Sequence, residues 1–548
     1  MVKPGIKNGT NFLFNTQNTI ISAAAILAFA TGLNAALGFV KNRVLTHFFG
    51  VSENLGVFYT ADRIPNLVYS VLVVGALSTV FIPVFSSSFK KDHKLAWHTA
   101  SSMVTASLLF FMLVGAGIAV FAESIMKILS IGKFSPEQIT LGANLMRIML
   151  FAQLILVISS FFTSLLQSFK YFIIPALAPL AYNLGMILGT LVLSNKFGIY
   201  GPALGVMIGA FFHLLIQLPL LSKINFTYRL SLDFKDKGLR EIYTLIPPRI
   251  VSVVLTSTIA TVNNSLAILV STSSVIFLKF ANQLQFFPVN LFGISIAAAL
   301  LPSLSAESDD SDRAQFKKTF LTSLHQMLFL VIPASMILFI LRVPVVRLVY
   351  GNPNFPWEAT LQTSYALAFF SISIFAQSAI YLLNRAFFAL KDTATPVKVS
   401  LATICVNVLT SIFFVEVFKW GVWSLALSYS ITAFLDMLTL LFLLSKKVGG
   451  FNMESLITPF TKMGYSAAFM GLFLYIPLKL LDQTVFDTSR TINLILLTTT
   501  ACIAGGLAYL FFTKLFKVQE VQLLYKLVGR LKIRTAPRVP IEAEHSEV

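Results

Sequence analysis

The sequence predicts an all-α polytopic membrane protein of about fourteen transmembrane helices, built as two parallel six-helix halves followed by two C-terminal helices. Of its 548 residues, 56% are hydrophobic and only 12% are charged, with a mean hydropathy of +0.81. A soluble protein of this length needs more charged residues to cover its surface. The apolar residues also form blocks of about 20 residues, the length that crosses a hydrocarbon core as a helix. Finally, one block repeats later in the chain.

The apolar blocks define the predicted spans and domains. The spans lie near 19–40, 56–83, 97–121, 141–168, 174–195, 200–222, 242–270, 275–302, 319–341, 361–388, 396–416, 421–445, 459–480 and 492–515. The predicted domains are a cytoplasmic N-terminal segment (1–18), a first six-helix half (19–222), a cytoplasmic linker (223–241), a second half (242–445), two additional helices (459–515) and a basic amphipathic cytoplasmic tail (517–548).

The internal repeat indicates a transporter. Residues 197–221 (FGIYGPALGVMIGAFFHLLIQLPLL) align without gaps on residues 420–444 (WGVWSLALSYSITAFLDMLTLLFLL). Six predicted spans separate the two copies, so both copies cross the membrane in the same direction. Parallel halves around a central cavity are typical of transporters, and are less common in channels and membrane enzymes.

Charge and cysteine content set the topology and exclude some functions. The net charge is +18, but the cations lie in short loops instead of clustering on a soluble module, which argues against nucleic-acid binding. Most of the 41 lysines and arginines fall on the side of the termini, so the positive-inside rule predicts that both termini are cytoplasmic. Cys405 and Cys502 lie in apolar segments, where we expect small core residues and no metal or redox chemistry.

Several motifs resemble the MurJ/MviN family of lipid II flippases. They occur in the family's order over predicted helices one to twelve, and they are residues 37–50 (LGFVKNRVLTHFFG), 63–85 (RIPNLVYSVLVVGALSTVFIPVF), 169–179 (FKYFIIPALAP), 217–223 (QLPLLSK), 286–305 (FFPVNLFGISIAAALLPSLS) and 385–400 (RAFFALKDTATPVKVS). Together these motifs are specific, although each is weak alone. The last two helices match the family only in number and length.

The resemblance implies a multidrug/oligosaccharidyl-lipid/polysaccharide exporter fold in a bacterial inner membrane. The implied activity moves lipid II, the undecaprenyl-pyrophosphate-linked peptidoglycan precursor, from the inner to the outer leaflet by alternating access. No bond is made or broken, so the resemblance implies no enzyme activity and no cofactor. It also implies that the last two helices form a groove for the lipid tail. Cell-wall synthesis proteins are possible partners, and a monomer is the default expectation.

The chain departs from the family at several charged positions. Family members commonly carry an arginine where this chain has Ala35, and another where it has Gln283. A family aspartate corresponds to Gly56, and a family arginine corresponds to Tyr69. Only Lys41 keeps the charge of its counterpart. The chain is therefore expected to be a divergent member that lacks several family arginines.

A flippase for such a lipid needs cations inside the membrane, because a pyrophosphate cannot cross hydrocarbon unpaired. Lys279 lies four residues before Gln283 and therefore on the same helix face. We hypothesise that a rearranged site binds the headgroup pyrophosphate through Lys41, Arg63, Arg249, Lys279 and Gln283. The alternative is that each cation reaches an interface or pairs locally, for instance with Asp62.

Prolines and asparagines provide weaker candidates. The prolines are expected to be bends that let helices one, two, seven and eight open and close the chamber, and they are Pro65, Pro83, Pro288 and Pro302. Three asparagines are weak candidates for a Na⁺ site, namely Asn263, Asn264 and Asn407. Hydrogen bonding between helices explains these asparagines equally well.

Three further positions have a structural and a functional interpretation. His213 and Asp436 are equivalent in the repeat; an interhelical hydrogen bond is the commoner role, and a coupling-ion path is the other. Asp392 in the KDTATP segment is expected to cap a loop before helix eleven. The sequence does not identify the coupling force, which can be Na⁺, H⁺ or the membrane potential.

Two other functions stay open at this stage. One is the export of another lipid-linked glycan or of an amphipathic compound, and the missing arginines favour it. The other is a transport-inactive membrane scaffold for cell-wall synthesis. Charges retained inside the membrane argue against the scaffold, because each is costly unless it is used.

Overall fold

The computed structural model describes residues 20–73, 80–224, 226, 228–233, 237–308, 313–482, 484–488 and 490–521. Inside these ranges the side chains of residues 20–28, 237–238, 240–249, 251–252 and 255–256 are not described. The predicted N-terminal segment 1–18 and the tail after residue 521 lie outside the described residues.

All the regular secondary structure in the N-terminal half of the described chain is helical. Its helices are α1 (Ile20–Phe49), α2 (Glu53–Ala61), α3 (Arg63–Leu72), α4 (Ile82–Lys91), α5 (His93–Val120), α6 (Ala122–Leu129), α7 (Pro136–Ser168), α8 (Ile173–Phe197), α9 (Tyr200–Leu215) and α10 (Leu218–Leu221). The predicted second span, 56–83, is interrupted, because a single residue, Asp62, separates α2 from α3.

The remainder is also helical. Its helices are α11 (Lys237–Val270), α12 (Ser274–Pro288), α13 (Ser295–Ala306), α14 (Ala314–Ile340), α15 (Arg342–Tyr350), α16 (Trp357–Ile372), α17 (Ile374–Ala389), α18 (Ala394–Ile412), α19 (Trp423–Lys447), α20 (Met453–Leu481) and α21 (Thr491–Leu515). Two short π-helical turns, Val289–Ile294 and Phe413–Val417, continue α12 and α18.

The all-α membrane fold is confirmed. Within the described ranges, ten helices are long and apolar enough to cross a membrane, or eleven if α16 and α17, bent by 46°, form one span. Over the residues that the structure describes, the predicted spans coincide with helical segments; residues 74–79 of the second span lie outside the described residues, and the number of membrane crossings stays a prediction. The predicted domain bounds also stay predictions.

The end of the first predicted span was wrong. Helix α1 continues to Phe49, nine residues beyond the predicted end at residue 40, and stops where Gly50 adopts a positive φ of 59°. The hydropathy pattern breaks at Lys41 because a charge lowers local hydropathy, yet the helix continues there. Lys41 therefore lies inside a helix, although it falls just beyond the end of the predicted span.

Prolines mark several of the irregular positions. Pro65 has no N–H to donate to the carbonyl of Ala61, which explains why the helix breaks at Asp62. Pro288 ends α12 directly before a π-helical turn, and Pro302 lies inside α13. Pro83 lies in the first turn of α4. The proposed opening motion at these four prolines stays a prediction.

Helices α8 and α9 approach each other through glycines. A Cβ atom on Gly189 would lie 2.2 Å from the Cα of Gly205, and one on Gly185 would lie 2.5 Å from the Cα of Gly209. Glycines spaced four residues apart let membrane helices pack backbone to backbone. This contact fixes the position of Tyr182, whose backbone carbonyl lies against Gly209.

The loop before α18 is capped as the sequence predicts. Asp392 accepts hydrogen bonds from the backbone N–H (3.0 Å) and the hydroxyl (2.7 Å) of Thr395, and its carboxylate lies 2.5 Å from Lys447 Nζ. Burial alone would raise the pKa of Asp392, but the bonds from Lys447 and Thr395 outweigh it and hold the pKa at about 2. The loop is thereby tied to the end of α19.

The glycine contact yields a stability prediction. The Gly189→Val substitution should lower the free energy of unfolding by about 1–3 kcal/mol, because overpacking forces the two helices apart. The matched control is Gly117→Val on α5, where an added Cβ meets no atom within 4 Å. Thermal unfolding in detergent measures both variants. Equal midpoints for the two variants would contradict the role of the glycine contact.

Candidate functional site

Loops 50–52, 271–273 and 351–356 lie on one side of the molecule, which we call the upper face. Lys41 lies eight residues before the upper end of α1, or about 12 Å below it. Lys279 lies five residues after the start of α12 at Ser274, about 8 Å below the same face. Both side chains therefore lie within helices, below the loops of the upper face.

Lys41 and Lys279 line one small cavity between the two halves of the molecule. Its lining side chains are Lys41, Phe58, Tyr59, Asp62, Tyr182, Met186, Val206 and Lys279. All except Lys279 belong to the N-terminal half. The cavity volume is about 40 Å³, which is space for a few water molecules and far less than a site for a sugar-linked headgroup requires.

The ammonium group of Lys279 contacts an aromatic ring across the interface. Its Nζ lies 3.7 Å from the ring centroid of Tyr59, a distance at which the negative face of the ring attracts a cation. The ring of Tyr59 is itself buried and packs edge-on against Phe280, with centroids 6.2 Å apart. This contact holds the Lys279 ammonium at the cavity and away from the lipid.

Arg63 lies next to the cavity and also contacts the second half. Its Nε donates to Asn264 Oδ1 at 3.2 Å, and Asn264 Nδ2 donates to Thr60 Oγ1 at 3.1 Å. The bonds orient the guanidinium but leave its two terminal nitrogens for other acceptors. Lys41, Arg63 and Lys279 therefore lie near one another, and their role in binding a headgroup stays a prediction.

The fourth predicted cation, Arg249, lies outside the described side chains, although its backbone belongs to α11. Its part in the site stays a prediction.

Asp62 supplies the acidic group at this site. Its charge acts on Lys41, Arg63 and Lys279. From the sequence, Asp62 was expected only to pair locally with one of the cations. The sequence signal that could have indicated its place is Pro65, which lies three residues after Asp62 and predicts a break in the helix there.

Gln283 has a different environment from the predicted one. It belongs to a neutral network in which Asn42 Nδ2 and the Tyr350 hydroxyl (3.4 Å) both donate to its Oε1. The hydroxyl of Tyr59 donates to Asn42 Oδ1 at 3.1 Å. Gln283 therefore joins α1 to α12 beside the cavity, and its contacts are those of a structural residue.

Two other departures from the family pattern also have a packing role. A Cβ on Gly56 would lie 2.3 Å from the backbone carbonyl of Thr272, so an aspartate cannot replace Gly56 without moving the two halves apart. The hydroxyl of Tyr69 lies 2.8 Å from Ser160 Oγ and joins α3 to α7.

Hydrogen bonds between the halves close the upper face. Asn352 Nδ2 donates to Thr46 Oγ1 (2.8 Å), Asn354 Nδ2 to the carbonyl of His47 (2.5 Å), Arg43 Nη1 to the carbonyl of Leu348 (2.9 Å), and Ser273 Oγ to the carbonyl of Val51 (3.1 Å). The donors and acceptors are all uncharged except Arg43. The cavity is therefore sealed from the upper side in this conformation.

The three asparagines proposed for Na⁺ do not share one site. Asn407 donates to Ser428 and Thr432, both at 3.3 Å, and Ser411 connects this group to Asn263 at 3.5 Å. Asn264 bonds Arg63 and Thr60 instead. The described residues contain no group of three or more His, Cys, Asp or Glu side chains suited to a metal. A Na⁺ site at Asn263 and Asn407 stays a prediction.

The repeat-related residues differ in their bonding. His213 is buried, and its Nδ1 lies 2.6 Å from Ser159 Oγ, so the interhelical hydrogen bond is confirmed. One carboxylate oxygen of Asp436 is buried and has no hydrogen-bond partner among the described residues.

The cysteines differ in exposure. Cys405 is exposed and Cys502 half-buried, and both are free, so the expected core position was wrong for Cys405. The apolar blocks that suggest a core also form the lipid-facing surface.

Comparisons with known sequences identify a family. The family model "Lipid II flippase MurJ" matches residues 45–496. A probable lipid II flippase MurJ of Buchnera aphidicola subsp. Acyrthosiphon pisum is 29% identical over 90% of this chain and 97% of its own length. A protein of the same description from Vibrio cholerae is 27% identical over 78% of this chain and 83% of its own length.

Solved structures show the same fold. A structure described as lipid II flippase MurJ in an inward closed conformation superposes with a TM-score of 0.74 at 23% identity, covering 90% of this chain and 98% of that one. An inward-facing multidrug resistance MATE transporter of the MOP superfamily superposes with a TM-score of 0.65 at 14% identity, covering 78% of this chain and 98% of that one.

The seal of the upper face yields a cross-linking prediction. In a chain with Cys405 and Cys502 replaced by alanine, the pair Thr46→Cys and Asn352→Cys should form a disulfide under mild oxidation, because the native side chains touch. The disulfide should stop any transport, and a reductant should restore it. The single cysteine variants are the controls, and transport that continues in the cross-linked protein would contradict the seal.

Proposed function

This chain belongs to the lipid II flippase MurJ family, and we propose that it moves lipid II across a bacterial inner membrane, from the inner to the outer leaflet. The observation that carries this proposal is the cluster of Lys41, Arg63 and Lys279 between the two halves. Cations at membrane depth are costly unless they pair with an anion. A pyrophosphate-linked lipid supplies such an anion.

The chemistry of the cluster suits a diphosphate. The guanidinium of Arg63 offers a planar pair of donors for phosphate oxygens, whereas Lys41 and Lys279 act as point charges. Tyr59 and Tyr182 place hydroxyl and aromatic groups at the same cavity. The proposed role of the site is to bind the headgroup diphosphate and to move it across the membrane.

The conformation supports alternating access. The upper face is sealed by hydrogen bonds between the halves, while the cavity at the cations holds only about 40 Å³. A headgroup can therefore enter or leave only after the halves separate. Most of the sealing bonds join neutral groups, and each contributes only about 0.5–1.5 kcal/mol, so a modest binding energy can shift the equilibrium.

The lipid tail has a separate apolar site available. A cavity of about 180 Å³ lies between α14, α17, α19 and α20. Its lining residues are Leu324, Leu328, Phe375, Ala379, Leu383, Met437, Leu438, Leu441, Leu456, Ile457 and Phe460. Helix α20 is the first of the two additional helices, which supports the expectation that these helices contact the tail.

Several finer expectations are part of this proposal. Both termini are expected to be cytoplasmic, with the upper face outside. The membrane potential can drive the cycle, since moving one charge through 100 mV is worth about 2.3 kcal/mol; Na⁺ or H⁺ coupling is the alternative. The protein is expected to work as a monomer, with cell-wall synthesis proteins as possible partners.

Two other functions are distinguishable by experiment. An exporter of another lipid-linked glycan or of an amphipathic compound should fail with lipid II and succeed with its own cargo. A transport-inactive scaffold should fail with every cargo. One observation favours testing the exporter function: the chain has Ala35 and Gln283 where family members commonly carry arginine.

The proposed function predicts the effect of neutralising the site. Lys41→Gln combined with Lys279→Gln should reduce lipid II flipping in proteoliposomes by at least about tenfold, because a hydrogen bond to a charged group contributes about 1.5–3 kcal/mol. It should also abolish rescue of a strain depleted of its own flippase. Lys196→Gln, at an exposed residue, is the control. Wild-type activity of the double variant would contradict the assigned site.

A further inference from the structure

Asp62 occupies an unusual position in the cation site. It is the one residue between α2 and α3, and its side chain makes no capping bond to the first turn of α3. The side chain of an aspartate just before a helix commonly accepts a hydrogen bond from a backbone N–H of the first helical turn. Asp62 instead lines the cavity that Lys41 and Lys279 share.

The groups around Asp62 come from five elements. They are Lys41 from α1, Tyr59 from α2, Arg63 from α3, Tyr182 from α8 and Lys279 from α12. Among the residues that the structure describes, no cationic nitrogen lies within 4 Å of its carboxylate oxygens. The charge of Asp62 therefore acts on all three cations, although Asp62 forms an ion pair with none of them.

The net charge of the site depends on Asp62. Three cations held together in a region of low dielectric repel one another, and a nearby carboxylate lowers that cost. A diphosphate diester carries two negative charges. Three cations with one carboxylate leave a net charge of two positive, which matches the diphosphate in magnitude.

We propose that Asp62 is a built-in counter-anion of the site, which partly neutralises Lys41, Arg63 and Lys279 while the cavity is closed and competes with the cargo diphosphate for them. This inference rests on the proposed function. Asp62 weakens diphosphate binding, because like charges in the same small space repel. It thereby promotes release of the headgroup after the cycle, and it acts as a positioning residue that never bonds the cargo.

The position of Asp62 suits such a role. It lies at the break between α2 and α3, and both α2 and α3 contact the second half through Thr60 and Arg63. A separation of the halves that breaks these bonds moves Asp62 relative to Lys279, which belongs to the second half. The counter-anion therefore acts most strongly in the closed conformation.

The test compares Asp62→Asn, Asp62→Glu and wild type with a fluorescent lipid II analogue. Binding is measured in detergent and flipping in proteoliposomes. Asp62→Asn should bind about tenfold more tightly, because removing one like charge several ångströms away is worth about that factor. Its maximal flipping rate should fall, so KM and kcat both decrease. Asp62→Glu should remain close to wild type.

The controls distinguish failure of the counter-anion proposal from failure of the proposed function. Glu358→Gln, at an exposed acidic residue, should change neither quantity, and thermal unfolding in detergent shows whether each variant is folded. Weaker or unchanged binding by folded Asp62→Asn, while wild type flips lipid II, overturns the counter-anion alone. Wild type that neither binds nor flips lipid II overturns the proposed function itself.

Discussion

The molecule is organised around one electrostatic constraint: cations placed at membrane depth need an anionic partner. Lys41, Arg63 and Lys279 come from three helices in two halves of the chain, and both Arg63 and Lys279 contact the opposite half. Tyr59 holds the ammonium of Lys279, and Asn264 orients Arg63. Because these two contacts join the N-terminal half to the second half, the cation site forms part of the interface that closes the molecule.

The neutral residues explain how the site can be closed without being locked. Asn42 and Gln283 join α1 to α12, and Gly56 lets the backbone of α2 reach Thr272. The charged residues that the family carries in place of Gln283 and Gly56 are absent from this interface. Their replacement by a neutral amide and a glycine produces a closed interface made mainly of weak bonds, while the cationic charge sits a few ångströms away.

The sequence predicts the class of fold because hydrophobic block length depends only on the membrane. It also predicts that Lys279 and Arg63 face protein, since a charge inside a span has few alternatives. The end of α1 and the place of Lys41 could not be predicted. A hydropathy profile treats every charged residue alike and contains no information on which charge is shielded by another helix. The contact of Gly56 with Thr272 and the role of Asp62 depend on tertiary approach between segments some 200 residues apart, which no local pattern encodes.

The most direct measurement is an electron cryomicroscopy structure of this chain with lipid II bound. We expect density for the two phosphates within about 4 Å of Lys41 Nζ and Lys279 Nζ, which is the reach of an ion pair, in a cavity wider than the one described here. A headgroup bound elsewhere, with the cavity between Lys41 and Lys279 still closed, would contradict it.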